Sequence, residues 1–235
     1  MKSLPNDFIS NIHNYGINPR SREIFLHGNI ECGEEEPGVD YRMASTFLKN
    51  ILLLNRQNSS TIYIHMNSVG GDWNYGMAIY DAIKASVAPV VIVAYSHARS
   101  MTSIILQAAD HRLLAPNADF MIHYGSLSID DTVMGAITAS EWTKRSNDVM
   151  LNIYAERCQQ GDYFRLCKNP KYAGKDGLMK IKRFLDRKMK DHQEWYLSAE
   201  EAVNYGFADG VLGKEIVLKD VLTNNIDVVK ANWKN

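Results

Sequence analysis

The chain has 235 residues, 46% of them hydrophobic and 23% charged, with a formal net charge of −1. That length and apolar share fit one α/β domain with a sizeable core and exclude a disordered or fibrous chain. The near-neutral balance argues against a basic surface built for nucleic acid or anionic membrane, and no apolar run approaches the roughly 20 residues of a membrane span.

In chain order, residues 1–22 are polar and irregular and read as a flexible arm; Met1 to Asp7 has no apolar signal core, which points to a cytoplasmic chain. Ile24-Phe25-Leu26 reads as a short strand and residues 34–38 as a loop. Asp40 is placed to cap a helix carrying Ala44, Phe47, Leu48, Ile51, Leu52 and Leu54 at helical spacing. Ile62, Ile64 and Met66 alternate as a strand does, and Gly70-Gly71-Asp72 turns into a helix with Met77, Tyr80 and Ile83 on one side. Pro89 precedes a buried strand at 90–95, a turn is predicted at 96–99, and Ser100 opens a short apolar helix. Phe120 to His123 reads as another strand, and the alternation of strand and helix implies right-handed crossovers and a largely parallel sheet. A long helix is predicted over 132–157, with breakers at 160–162 and 169–174. Leu178, Ile181, Phe184 and Leu185 then form a narrow apolar stripe among six lysines and arginines, which read as a solvated face or as a basic docking patch. Trp195-Tyr196-Leu197 precedes a helix whose Ser198 and Glu201 match a capping box. Cys32, Cys158 and Cys167 lack metal-ligand spacing and read as reduced free thiols.

Three pieces converge on chemistry. A strand, sharp turn, serine and helix expose the Ser100 hydroxyl beside the positive end of a helix. His123 ends another strand, and Gly70-Gly71 follows a third. Nucleophile, base and oxyanion donors can be drawn from them at the strand ends of one parallel sheet, where α/β sites form. Each alone has a plainer reading: Ser100 as a helix cap, His123 as a satisfied core histidine, the diglycine as a tight turn that lacks a dinucleotide or P-loop pattern.

Together the blocks have a family resemblance. Asn67-Ser68-Val69-Gly70-Gly71, Gly76 to Asp81, Ala98-Arg99-Ser100-Met101, Pro116 to His123 and Leu197 to Gly206 resemble, in order and spacing over about residues 24–213, the proteolytic subunit of the Clp protease. The resemblance implies a crotonase-like α/β fold of repeated β-β-α units with a protruding helical handle. On that fold the chain divides into an arm (1–22), an α/β head (23–131 and 191–220), a handle with an extra segment (132–190) and a C-terminal tail (221–235). It also implies a ring-shaped, self-compartmentalised serine peptidase of six or seven subunits per ring, with two rings stacked or not, fed unfolded polypeptide by an ATP-driven AAA+ unfoldase. No metal or organic cofactor is implied.

Carried over by position, Ser100 is the nucleophile, His123 the general base, and the backbone N–H groups of Gly71 and Met101 the oxyanion hole. The family's acid, an aspartate three residues before the Leu-Ser-Ala block, corresponds to Glu194; Asp191, three residues earlier, is the second candidate, about 10 Å back if the segment is extended. The sequence departs from the pattern at Val69, Arg99, Thr102, Tyr124-Gly125 and in the longer segment near 158–190. Arg99 can bind a substrate carboxylate or form a structural ion pair. Two other readings stay open: a catalytically silent ring subunit, and a crotonase-like acyl-CoA enzyme, which needs the oxyanion hole but not the serine–histidine pair.

Overall fold

Residues 6–27, 38–165, 170–172 and 176–213 are described in a computed structural model of the chain. The elements run α1 (Asn6–Tyr15), β1 (Ile17–Asn18), β2 (Glu23–His27), α2 (Tyr41–Gln57), β3 (Ile62–Ser68), α3 (Trp73–Lys84), β4 (Val90–Arg99), α4 (Met101–Leu106), β5 (His111–Leu114), β6 (Asp119–His123), α5 (Val133–Cys158), a single 3₁₀ turn (Pro170–Tyr172), α6 (Gly177–His192), β7 (Glu194–Leu197), α7 (Ala199–Tyr205) and β8 (Gly210–Val211). Cys32, Cys167 and the 221–235 tail lie outside the described residues.

One eight-stranded sheet organises the chain, and β2, β3, β4, β5 and β8 run parallel. Alternation decides which side chains go where. Ile62, Ile64, Met66, Ile92 and Ala94 enter a large core under the helices, whereas Tyr63, Val91, Val93, Leu113 and Leu212 form a small cluster on the opposite face. The predicted caps are in place: Asp40 accepts from the Met43 N–H at 2.8 Å, and Ser198 and Glu201 close a capping box; Asp72, read only as part of a turn, also caps its helix, accepting from the Tyr75 N–H at 3.0 Å.

The sheet forks at β4, and the fork positions the site. The first half of β4, Val91–Ala94, pairs with β5, while its second half, His97–Arg99, pairs with β6. The turn predicted at 96–99 is therefore strand. Its polar residues suggested an exit from the sheet, but β6 supplies a new hydrogen-bonding partner there, across a register shift in the β3–β4 pairing. His111–Leu114, too short to read as an alternating run, supplies β5. β6 then pairs antiparallel with β7.

Residues 6–22 of the expected arm are not irregular. They hold α1 and β1, and β1 pairs antiparallel with β2. Arg22 is the reason the segment docks: its guanidinium, almost fully buried, donates to the carbonyls of Leu54, Asn58 and Ser60 at the end of α2. The Leu54 and Asn58 carbonyls belong to the C-terminus of α2, where a cation is favoured, and Ser60 follows just beyond it. Asn50 adds a bond to the Tyr15 carbonyl at 2.7 Å.

α5 and α6 pack together. The first turns of α5 carry exposed Val133, Met134, Ile137 and Trp142, whereas Met150, Leu151, Tyr154, Ala155 and Cys158 near its end are buried. The longer segment builds its own aromatic cluster: Phe164 lies 4.9 Å from both Tyr163 and Tyr172, and Tyr205 lies 4.8 Å from Tyr163 and 5.1 Å from Trp195. Part of the basic stripe is spent on local contacts. Lys188 sits over the Trp195 ring, Lys182 pairs with Asp148, and Lys190 with Asp186.

Candidate active site

Ser100 occupies the one-residue turn between β4 and α4 at φ 50° and ψ −123°, a conformation a non-glycine residue adopts only when its surroundings enforce it. The surroundings do. The Ser100 N–H donates to the Met121 carbonyl at 2.9 Å, and the Ser103 hydroxyl, held against the Tyr154 hydroxyl, donates to the Ser100 carbonyl. The buried Thr102 hydroxyl lies 2.8 Å from the carbonyls of Ser68 and Arg99 and accepts the Arg99 N–H, tying the end of β3 to the turn. Thr102, which looked like a departure from small residues, is thus a brace.

The diglycine is required by space as well as by dihedral angle. Gly70 has φ +111°, and a Cβ there would stand 2.7 Å from the Ser100 Cβ; one at Gly71, φ +143°, would stand 2.4 Å from the Val39 nitrogen. The Met101 side chain lies against Gly76 of α3, where any Cβ would overlap it. Among the described residues, the N–H groups of Gly71 and Met101 donate to no protein acceptor, the state an oxyanion hole needs.

His123 ends β6 with its Nε2 2.7 Å from the Ser100 Oγ. In the Nδ1-protonated tautomer the serine hydroxyl donates to Nε2. Burial pushes the imidazole below its usual pKa, opposed by the negative charge of Glu194. Glu194 begins β7 directly opposite His123 in the antiparallel register, so the two side chains share a face. Its hydrogen bond among the described residues is to Tyr196, whose hydroxyl donates to Oε2 at 3.1 Å. Asp191 is not in an extended segment, as the sequence suggested, but in the last turn of α6; Gln193, at φ 60°, separates that helix from β7.

Arg99 forms the ion pair of its two readings. Its guanidinium grips the Asp119 carboxylate at both oxygens and lies 5.5 Å from the Tyr196 ring centre. Tyr124, just past the histidine, donates its hydroxyl to Asp186 on α6. The roles of Asp119, Tyr196 and Tyr124 were missed in the sequence; the spacing of Glu194 and Tyr196 by two in a strand was the available signal for one of them. Ser103, the other serine of this turn of α4, is buried and engaged with Tyr154. Beside Ser100 and His123 opens a cleft of about 550 Å³, with buried Ile104 and Met150 in its lining and the more exposed Trp142 at its rim.

The Clp protease family model matches residues 17–168. The chain belongs to the Clp protease family. The ATP-dependent Clp protease proteolytic subunit of Leuconostoc citreum is 31% identical over 75% of this chain and 80% of its own length. That of Deinococcus radiodurans is 28% identical over 74% and 76%. A solved structure of a ClpP1 mutant from Listeria monocytogenes covers 87% of this Clp-family chain and 96% of that one, with a TM-score of 0.64 at 23% identity, and shows the shared α/β fold. Among the described residues of this family member, no helix is long and apolar enough to cross a membrane.

Proposed function

We propose that the chain is a serine endopeptidase subunit of a ring-shaped Clp-type protease that cleaves unfolded polypeptide. The observation that carries the reading is the 2.7 Å contact between His123 Nε2 and Ser100 Oγ on a strained strand-to-helix turn. His123 takes the hydroxyl proton as Oγ attacks the peptide carbonyl. The developing oxyanion is received by the Gly71 and Met101 N–H groups. His123 returns the proton to the leaving amine, and water, activated by the same imidazole, hydrolyses the acyl-enzyme. Glu194 stabilises the imidazolium and fixes the tautomer. The depressed pKa of His123 supports its part, because the resting imidazole is neutral and able to accept a proton.

The assembly follows the family: a ring, fed by an AAA+ unfoldase, in the cytoplasm. Exposed Val133, Met134 and Ile137 on α5 and Leu52 and Leu53 on α2 support burial against other copies. A second reading, a catalytically silent ring subunit, is favoured by one observation: among the described residues the imidazole bonds Ser100 and makes no hydrogen bond to Glu194. Labelling decides between them. A fluorophosphonate is expected to modify the wild-type protein at Ser100 and to leave Ser100→Ala unlabelled. Peptide hydrolysis by that variant should fall below about one part in a thousand of wild type. No labelling of the assembled wild-type protein would select the silent subunit.

A further inference from the structure

Beside the candidate acid lies a set of side chains that the catalytic reading leaves unused. The register aligns Arg99 of β4, Met121 of β6 and Tyr196 of β7 in one row, and His123 and Glu194 in the next. Residues two apart in a strand share a face. Asp119, His123, Glu194, Tyr196 and Arg99 therefore meet on one surface of the ladder. Tyr196 donates to Glu194 Oε2 at 3.1 Å, Arg99 lies 5.5 Å from the Tyr196 ring centre, and Asp119 holds Arg99 through both carboxylate oxygens.

Glutamate has one more rotatable bond than the aspartate of the family pattern. It gains reach toward the imidazole and loses definition, because more rotamers must be frozen to aim it. A second anchor on the carboxylate restores the aim. A carboxylate has two oxygens and accepts at both, so a donor on Oε2 leaves Oε1 available.

We propose that Tyr196 is a positioning residue: its hydroxyl holds Oε2 of Glu194 so that Oε1 serves His123 Nδ1, and Arg99, clamped by Asp119, supports its ring. This rests on the catalytic reading above and on Glu194 as its acid. Burial, and then the bond to Glu194, raise the Tyr196 phenol above its usual pKa, so it stays a donor through the working range. The charge that acts on the imidazole is that of Glu194 on β7; Tyr196 bonds Glu194, and Arg99 of β4, clamped by Asp119 of β6, lies against the Tyr196 ring.

The test measures kcat and KM for a peptide substrate, with the assembled protein, in Tyr196→Phe, Glu194→Gln and the double variant. Loss of one hydrogen bond to a charged acceptor at a half-exposed site is expected to lower kcat about five- to tenfold, with KM within about twofold. The double variant should be no slower than Glu194→Gln alone. The acidic limb of kcat/KM should move to lower pH in Tyr196→Phe, because a less well aimed Glu194 supports the imidazolium less; a purely structural role would not move it. Arg99→Met, a second and independent probe, should lower kcat in the wild-type background and change nothing further in Tyr196→Phe. Wild-type kcat in Tyr196→Phe with an impaired Glu194→Gln overturns the proposal alone, as do multiplicative losses in the double variant. Wild-type kcat in Glu194→Gln overturns it together with the role of Glu194, whereas failure of Ser100 labelling overturns the catalytic reading itself.

Discussion

Ser100 and Gly70 define each other at the scale of single residues. Ser100 holds a positive φ because Met121, Ser103 and Thr102 bond the turn from three sides, and Gly70 leaves the space it occupies. Gly70→Ala would put a Cβ 2.7 Å from that of Ser100 at a φ of +111°. Such a strained residue costs on the order of 1–3 kcal/mol, and here the strain falls on the nucleophile. The variant is expected to fold with a lowered Tm and to lose fluorophosphonate labelling; labelling at the wild-type rate would show that the turn adapts. His123 gives a prediction in pH. Burial disfavours the imidazolium and the Glu194 charge opposes that more weakly, so the folded-state pKa lies below 6.5. Only the neutral imidazole acts as base, so the acidic limb of kcat/KM should fall below pH 6.5. A limb above that value would mean that the charge of Glu194 outweighs burial.

Among the elements, β4 does more than its length suggests. By changing partners from β5 to β6 it brings its C-terminal end beside the Met121 carbonyl and His123. The segment after Cys158 answers a different need. Its aromatic cluster joins the 3₁₀ turn and α6 to β7 and α7, and so supports the strand that carries Glu194 and Tyr196. Phe164 is buried and contacts Tyr163, Tyr172, Phe184 and Tyr205. Phe164→Ala should cost about 3–5 kcal/mol in chemical denaturation, the range for removing a buried phenylalanine. A loss under about 1 kcal/mol would mean that the cluster is an ornament on a head that is stable without it.

For the whole molecule, the exposed apolar residues of α2 and α5 are poor neighbours for water and good ones for other copies. Sedimentation at micromolar concentration should show a closed cyclic oligomer. A single species near 26.6 kDa would remove the ring from the proposed function.

Local pattern alone determined a good part of this protein. The caps at Asp40, Asp72 and Ser198, the alternation through Ile62 to Met66, and the serine placed between strand and helix are short-range features, with their causes within a few residues. The order of motifs was enough to identify the family. Spacing favoured Glu194 over Asp191 on the premise of an extended chain, and that premise fails: Asp191 is set apart by a helix end. Tertiary structure decided the rest. Residues 6–22 read as an arm because the carbonyls that dock Arg22 belong to a helix more than thirty residues away. The fork of β4, the Thr102 brace to Ser68, the Arg99–Asp119 pair and the placing of Glu194 opposite His123 depend on which strands become neighbours. A sequence states its periodicities residue by residue, but the pairing of strands is a long-range choice, made by burying the whole core at once.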